Sequence, residues 1–335
     1  NVGDLFDAIG RGNRALSFYR TAFNNDSRTA HVVRYVNALL AQKPPNTTEA
    51  ENTLRKVQDR IAKDPELLLT RAGVRRALNQ PADARKDVAA SMKLLPYDQT
   101  NAMQTWFQTA FRLLGAKELA STLDAMAKDG NNPDWIAFFR ARIQADDPNP
   151  ATRNAGIEAI KRVADSTKQP GLALLAMKEH SGRLYLANDF EKAAEAMKAI
   201  IAKDPKDADT LNNLAYLLGK DLNRPLEGAE FAQLAVELKP KSPEVLDTLG
   251  LMLMLNGKLD ESQKVFERAI AIPASPSTQV TILLHMSELQ FKQGKRDEAK
   301  SSLAKARTLF TQVQGLTADQ QKQDIGRLEK LLEGP

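Results

Sequence analysis

A short phrase occurs twice in the C-terminal half of this chain. The segment Leu211-Asn-Asn-Leu-Ala215 is followed 35 residues later by Leu246-Asp-Thr-Leu-Gly250, and each copy leads into a second segment with helical spacing. Self-similarity at such a period is typical of solenoids, in which each unit buries its apolar face against its neighbours. The sequence therefore predicts a repeat array instead of a globule around one core.

The segments between the prolines have the composition of helices. Ala, Leu, Lys, Glu, Gln and Arg fill them, and the alternation of β-branched residues that marks strands is missing. Prolines recur at intervals that leave room for two helices each, at Pro65, Pro96, Pro133, Pro170, Pro205 and Pro240. We predict an all-α chain.

Composition excludes several kinds of chemistry. The 335 residues include no cysteine, which removes disulfides, thiolate metal sites and a cysteine nucleophile. The net charge of +5 is mild, and acids follow bases closely along the chain, so no nucleic-acid footprint is evident. No apolar run approaches the roughly 20 residues of a membrane span. We expect no nucleic-acid partner and no membrane span in this chain.

Small residues recur at fixed places in the C-terminal intervals. First helices carry a large residue followed by a small one, at His180-Ser181, Leu214-Ala215, Leu249-Gly250 and Met286-Ser287. Second helices carry small residues seven apart around a large one, as Ser262 and Ala269 flank Phe266. This pattern resembles the tetratricopeptide repeat, most clearly over residues 170–310. The resemblance implies a right-handed superhelical solenoid of about eight helix-turn-helix repeats.

The expected organisation has four parts. Residues 1–25 form a lone helix, interpreted as the remnant of a truncated repeat in a chain excised or processed from a longer one. Divergent repeats occupy residues 26–169, and clear repeats occupy residues 170–312. Residues 313–335 form a polar capping helix, because a terminal repeat must present a polar outer face.

The resemblance also implies a binding surface. In tetratricopeptide arrays the first helices line a concave groove, and the matching positions here are Arg71, Arg75, Lys178, Tyr185, Asn212, Tyr216, Asp247 and Leu251. Arg71 and Arg75 share a helix face and could present two guanidiniums to a carboxylate or phosphate. The alternative is a solvated face paired with acids of the neighbouring repeat. The set does not reproduce the Lys/Asn clamp of chaperone-binding members.

Signals for catalysis are missing from the sequence. Its three histidines have no metal-site spacing, and His-Glu-x-x-His pairs, Gly-rich phosphate loops and serine nucleophile elbows are absent. No catalytic, cofactor-binding or metal-ligating residue is predicted, and no cofactor. We expect a non-enzymatic scaffold that holds another protein or peptide segment in its groove.

Two phrases suggest a cellular context. Residues 211–218 and 245–250 are similar to the C-terminal repeats of bacterial multi-repeat tetratricopeptide proteins. These include lipoproteins of exopolysaccharide and PEP-CTERM-type protein-sorting systems. The similarity implies a periplasmic or envelope-associated location, with a cytoplasmic adaptor as the alternative.

Two other functions remain open. The chain could be the substrate-recruiting region of a larger enzyme. It could also bind or export a glycan, with Trp106, Trp135, Tyr185 and Tyr216 as aromatic platforms. Against the second reading, Trp106 and Trp135 are expected to pack in the core, since aromatics at helical spacing usually do.

Overall fold

The chain is an array of helices. The computed structural model describes residues 12–130, 132–313 and 317–334, and these residues form helices joined by turns, without a strand. The predicted all-α solenoid is confirmed. The chain divides into two compact units, Asn1–Ala176 (unit 1) and Met177–Pro335 (unit 2). The first part of the predicted opening helix, residues 1–11, lies outside the described residues.

Unit 1 contains a lone helix followed by successive helix pairs. Its helices are α1 Gly12–Asn25, α2 Thr29–Leu40, α3 Thr47–Arg55, α4 Gln58–Ile61, α5 Pro65–Ala77, α6 Pro81–Lys93, α7 Thr100–Lys128, α8 Pro133–Ala145 and α9 Pro150–Ser166. The helix α10, Pro170–Leu186, begins in unit 1 and ends in unit 2. Several prolines occupy the first turn of a helix, where their missing N–H has no intrahelical partner.

The long helix α7 is two helices separated by a kink. Gly115 has φ 72° and ψ 171°, a conformation that is essentially restricted to glycine. The kink lies at the turn that the sequence predicts from Gly115, and it makes the two halves of α7 the helix pair of one repeat. The structure thus contains eight successive helix pairs between residues 29 and 310 of its described part.

The core of unit 1 is rich in aromatic rings. Trp106 and Trp135 are fully buried, as predicted, and both pack against Phe139 with ring centroids 5.5 and 5.3 Å away. The Trp106 indole N–H donates to Ser91 Oγ at 2.8 Å, and the Trp135 N–H donates to the Tyr97 carbonyl oxygen at 3.0 Å. Both tryptophans therefore serve packing and cannot be exposed platforms for a glycan.

Unit 2 continues the alternation of first and second helices. After α10 come α11 Phe190–Lys203, α12 Ala208–Tyr216, α13 Pro225–Leu238, α14 Pro243–Leu255, α15 Leu259–Ile270, α16 Pro276–Lys292, α17 Arg296–Phe310 and α18 Thr317–Glu333. A single π-helical turn, Leu217–Asp221, extends α12. It closes with the Leu222 N–H donating to the Leu217 carbonyl oxygen at 3.0 Å.

Small residues let the paired helices of unit 2 approach closely. A Cβ on Gly250 of α14 would lie 2.6 Å from the buried Phe266 ring of α15. Beside this contact, Ser262 Oγ donates to the Gly250 carbonyl oxygen at 2.7 Å, and Ser287 Oγ bonds the Ala299 carbonyl oxygen at 2.8 Å in the next pair. The residues that carried the tetratricopeptide resemblance are therefore packing residues.

Candidate functional site

Unit 2 contains a pocket lined mainly by its first helices. The pocket encloses about 350 Å³. Its walls come from α10, α12 with its π turn, α16 and the C-terminal helix α18, through Tyr185, Tyr216, Lys220, Asp221, Thr281, Leu284, His285, Gln320, Gln321, Asp324 and Arg327. Of the predicted binding residues, Tyr185 and Tyr216 line it directly. We refer to it as the unit 2 pocket.

The two tyrosines of the pocket share a carboxylate neighbour. Tyr185 hydrogen bonds to Asp221, which lies at the end of the π turn. Burial raises the pKa of Tyr216 to about 12, and Tyr185 and the carboxylates of Asp221 and Asp247 add to this shift. Burial also raises the pKa of Asp221, against the opposing effects of the Tyr185 hydrogen bond and of Lys220. These hydroxyls and carboxylates form one polar wall.

An ion pair joins two first helices beside this wall. His285 Nδ1 of α16 lies 2.9 Å from Asp247 Oδ1 of α14, and both side chains are largely buried. Burial alone would lower the pKa of His285, but the Asp247 charge and hydrogen bond outweigh it and the pKa is raised. Lys220 opposes this increase and Glu288 supports it. Asp247, a predicted partner contact, is thus held by the next repeat.

Replacement of Asp247 by asparagine should reverse the shift at His285. Without the carboxylate, burial dominates, so the pKa of His285 is expected to fall below its ordinary value of about 6.5. The change is measured by NMR titration of the imidazole signals, with His285→Gln to identify the resonance among the three histidines.

The ion pair between His285 and Asp247 should also make the free energy of unfolding depend on pH. Because the folded pKa of His285 is raised, its contribution is complete below about pH 6.5 and is lost as the pH rises through the folded pKa. Asp247→Asn should reverse this pH dependence, because the lowered pKa of His285 makes stability rise with pH, whereas Asp260→Asn, at an exposed carboxylate of α15, should leave it intact. An unaltered titration of His285 in Asp247→Asn would contradict the assignment.

The other predicted binding residues of unit 2, Lys178, Leu251 and Asn212, lie in three different environments. Lys178 Nζ lies 2.6 Å from Asp207 Oδ2, and Asp207 caps α12 by accepting from the Thr210 N–H. Leu251 is 2% exposed and belongs to the apolar core, so the expectation that it faces a partner is corrected. Asn212 is half-buried one turn before Tyr216, and its Oδ1 has no hydrogen-bond partner.

Arg71 and Arg75 of unit 1 bind a carboxylate of their own repeat. Arg71 Nε and Nη2 donate to the two oxygens of Asp87 at 2.9 and 2.6 Å, and Arg75 Nη1 lies 2.6 Å from Asp87 Oδ2. Asp87 belongs to α6, the second helix of the same pair, and is buried. This differs from both sequence expectations, a partner anion and an acid of the neighbouring repeat.

The two arginines were matched to the wrong positions of the repeat, because the first helix α5 aligns with the first helices of unit 2 in a different register. Ala72 precedes Ala84 by 12 residues, the spacing that separates Gly250 from Ser262. In this alignment Arg71 corresponds to the buried Leu214 and Arg75 to the buried Leu218. The two arginines therefore occupy positions that face the second helix. They do not occupy the positions of Asn212 and Tyr216.

Sequence reasoning missed most of the polar wall. Lys220 and Asp221 are brought in by the π turn, and the sequence gives no signal for that turn except the 35-residue spacing of the two phrases. Gln321, Asp324 and Arg327 come from α18, which was expected only to cap the array. Arg327 Nη2 lies 2.7 Å from Glu288 Oε2 of α16, so this helix is tied to the site that it helps to form.

The described residues contain neither a metal-binding cluster nor a membrane-spanning helix. Among the described residues, no group of three or more His, Asp or Glu side chains is arranged to hold a metal ion. Within the same ranges, no helix combines the length and apolar character needed to cross a membrane.

Comparison with known families identifies the repeat. The tetratricopeptide repeat model matches residues 243–276, which comprise α14, α15 and the turn after them. The TPR repeat-containing protein PA4667 of Pseudomonas aeruginosa is 30% identical over 83 residues. The chain therefore contains a tetratricopeptide repeat at residues 243–276, within an array of similar helix pairs. The human Superkiller complex protein 3 is similar to this chain at 29% identity over 133 residues.

These relatives are much longer than the matched part. The alignments cover 25% and 37% of this chain, but only 14% of the Pseudomonas protein and 8% of the human one. Two solved structures share the fold with TM-scores of 0.51. A tetratricopeptide repeat protein from Parabacteroides merdae is 14% identical over 70% of this chain and 92% of its own. A human IFIT1 dimer with PPP-AAAA is 16% identical over 98% and 80%.

Proposed function

We propose that this tetratricopeptide protein is a non-enzymatic scaffold that binds a segment of a partner protein in the unit 2 pocket. The tetratricopeptide fold supports protein interaction in general, and the pocket is the site that we propose for it. The observation that carries the proposal is the convergence of two tyrosines with charged side chains in one open cavity of about 350 Å³. A cavity of this size suits one or two side chains of a peptide.

The mechanism is binding to a preorganised surface. Each first helix of unit 2 is held by its second helix, as Gly250 is held against Phe266. The ion pair between His285 and Asp247 ties consecutive first helices together. The receptor therefore loses little conformational freedom on binding, and aromatic side chains in such a site contribute most of the affinity.

Selection of peptides provides the test. Random peptides displayed on phage are selected against the full chain and then measured against Tyr185→Ala. Loss of an aromatic contact is expected to weaken binding at least tenfold, or about 1.4 kcal/mol. Tyr97→Ala, a truncation of a half-buried tyrosine in unit 1, serves as the matched control.

Loss of peptide binding can be distinguished from loss of folding because helical content is measured separately. Circular dichroism should show equal helical content for both variants, since Tyr185 lines a pocket and lies outside the apolar core. Equal binding of the selected peptides by wild type and Tyr185→Ala would refute the pocket as the binding site. Equal weakening by Tyr97→Ala and Tyr185→Ala would refute it as well.

For cellular location, we propose the bacterial envelope. The supporting observation is the similarity of residues 211–218 and 245–250 to repeats of envelope lipoproteins. Fractionation of the source cells, with detection of the full-length protein by antibody, tests this. Recovery in the cytoplasmic fraction alone would contradict it.

A glycan-binding function receives less support. Two of its four aromatic candidates, Trp106 and Trp135, are fully buried in unit 1. Tyr185 and Tyr216 alone remain at a cavity, and they are surrounded by carboxylates and by Lys220.

A further inference from the structure

Two residues that line the unit 2 pocket have buried hydrogen-bond acceptors without a partner. Gln321 is 4% exposed, and its Nε2 donates to Ser277 O at 2.8 Å, Ser277 Oγ at 3.2 Å and Thr281 Oγ1 at 2.9 Å. Its Oε1 has no partner, and the same is true of Asp221 Oδ2. Buried acceptors without partners are costly, so a ligand that carries donors would gain free energy here.

The cations that line the pocket are largely neutralised by other residues. Arg327 Nη2 lies 2.7 Å from Glu288 Oε2, and His285 is paired with Asp247. Lys220 makes no ion pair with any of the described residues. Two carboxylates, Asp221 and Asp324, therefore face a single uncompensated ammonium group.

The Asp324 carboxylate has weak local support. Its Oδ1 lies 3.7 Å from Arg327 Nε, and its Oδ2 accepts from Gln320 Nε2 at 3.2 Å. Asp324 is also among the carboxylates that raise the pKa of Tyr216 to about 12, after burial and Tyr185.

The aromatic rings of the pocket favour the same sign of charge. The face of a tyrosine ring is negative, and it attracts guanidinium and ammonium groups by about 0.5–2 kcal/mol. Tyr185 is fixed against Phe190, with ring centroids 5.5 Å apart, and Tyr216 is anchored against the apolar core of unit 2. Both rings are therefore rigid surfaces on which a planar cation can lie.

We propose that the unit 2 pocket receives one basic side chain, arginine or lysine, of the partner segment. Asp221 and Asp324 accept its hydrogen bonds, and the rings of Tyr185 and Tyr216 contact its aliphatic and cationic parts. This inference rests on the proposed function, and it specifies which side chain of the partner enters the pocket. An anionic side chain is disfavoured because the two carboxylates and the two negative ring faces would oppose it, with only Lys220, the one uncompensated cation among the described residues of the pocket, to attract it.

Small amino-acid derivatives test whether the pocket prefers a positively charged side chain. The full chain is labelled with 3-fluorotyrosine, which gives one ¹⁹F signal for each of its five tyrosines. The signals are titrated with N-acetyl-arginine methylamide and with N-acetyl-citrulline methylamide, which has nearly the same shape without the charge. The arginine probe should shift the Tyr185 and Tyr216 signals saturably, and the citrulline probe should bind at least tenfold more weakly.

A matched pair of variants tests the residue assignment. Asp221→Asn keeps the shape of the side chain and removes its charge, and it should weaken the arginine probe about tenfold. Asp260→Asn removes the same charge from an exposed position of α15 and should have no effect. Equal binding of both probes, preference for N-acetyl-glutamate methylamide, or an unchanged affinity in Asp221→Asn would overturn the proposal.

The selected peptides separate this inference from the function on which it rests. Enrichment of Arg or Lys, with loss of binding when that residue is replaced by citrulline or glutamine, supports both. Peptides that depend on Tyr185 but contain no basic residue overturn the basic-side-chain proposal and leave the scaffold function standing. If no selected peptide depends on Tyr185, the pocket is not the binding site and both fail.

Discussion

Replacement of Gly156 by alanine is expected to destabilise unit 1 by about 3 kcal/mol, the upper part of the usual range for overpacking. Gly156 lies in α9, where the helix crosses the C-terminal end of α8. An added Cβ would lie 2.7 Å from the carbonyl carbon of Gln144 and 2.9 Å from the carbonyl oxygen of Ala141, and it would also contact the backbone nitrogen of Ala145. These are backbone atoms, so the helices must move apart to relieve the contact.

Denaturant unfolding followed by tryptophan fluorescence measures this effect. Both tryptophans of the chain are buried in unit 1, Trp135 in α8 itself and Trp106 against Phe139 of α8, so their emission reports on this unit. Gly73→Ala is the matched control in the same unit, because its added Cβ would meet Leu40 and Leu113 at 3.5 and 3.6 Å, ordinary contact distances. Alanine there should be neutral or stabilising by up to about 1 kcal/mol. Equal unfolding midpoints for the two variants would show that α8 and α9 are not in close contact at Gly156.

The double variant Arg71→Met with Arg75→Met is expected to cost about 3 kcal/mol. Asp87 is buried and receives its charge compensation from these two guanidiniums. Methionine fills part of the volume but leaves a buried carboxylate without a cation, which is the expensive way to break an ion pair. Arg75→Met alone should cost about 1 kcal/mol, because Arg71 keeps both of its hydrogen bonds to Asp87.

A triple variant distinguishes this explanation from simple loss of packing. Adding Asp87→Leu to the double variant removes the uncompensated charge, so most of the lost stability should return. Tryptophan fluorescence again reports on the unit, since Ser91 of the Asp87 helix bonds the Trp106 indole. A triple variant less stable than the double would show that the arginines act through packing instead.

The positions of the helices could be predicted largely from local signals. Prolines at the boundaries between helices, small residues at the helix crossings and the turn at Gly115 are properties of short segments, and each of these features appears in the structure. The packing role of Trp106 and Trp135 also followed from their helical spacing. Such features depend on neighbours along the chain or within one repeat, which a repeating sequence exposes directly.

The candidate site could be predicted only in part because it combines distant segments. Tyr185 and Tyr216 were found by matching positions between repeats, but the same matching placed Leu251 outside the core and gave Arg71 the wrong register. The error at Arg71 arose because the upstream repeats diverge, so their first helices could not be aligned without knowing which residue faces Ala84. Asp324 and Arg327 belong to a terminal helix that has no counterpart in the repeats, and pattern matching could not include them.

The π turn after Tyr216 has a consequence for how such arrays can vary. Tetratricopeptide units are usually 34 residues long, yet Ala215 and Gly250 are 35 residues apart. The wide turn takes up the additional residue inside a helix, so the next unit begins in the usual orientation while Lys220 and Asp221 rotate into the pocket. A one-residue insertion of this kind brings Lys220 and Asp221 to the pocket, while Gly219 of the same turn packs closely against Met252 of α14. The same five residues therefore serve recognition on one side of the helix and packing of the next repeat on the other.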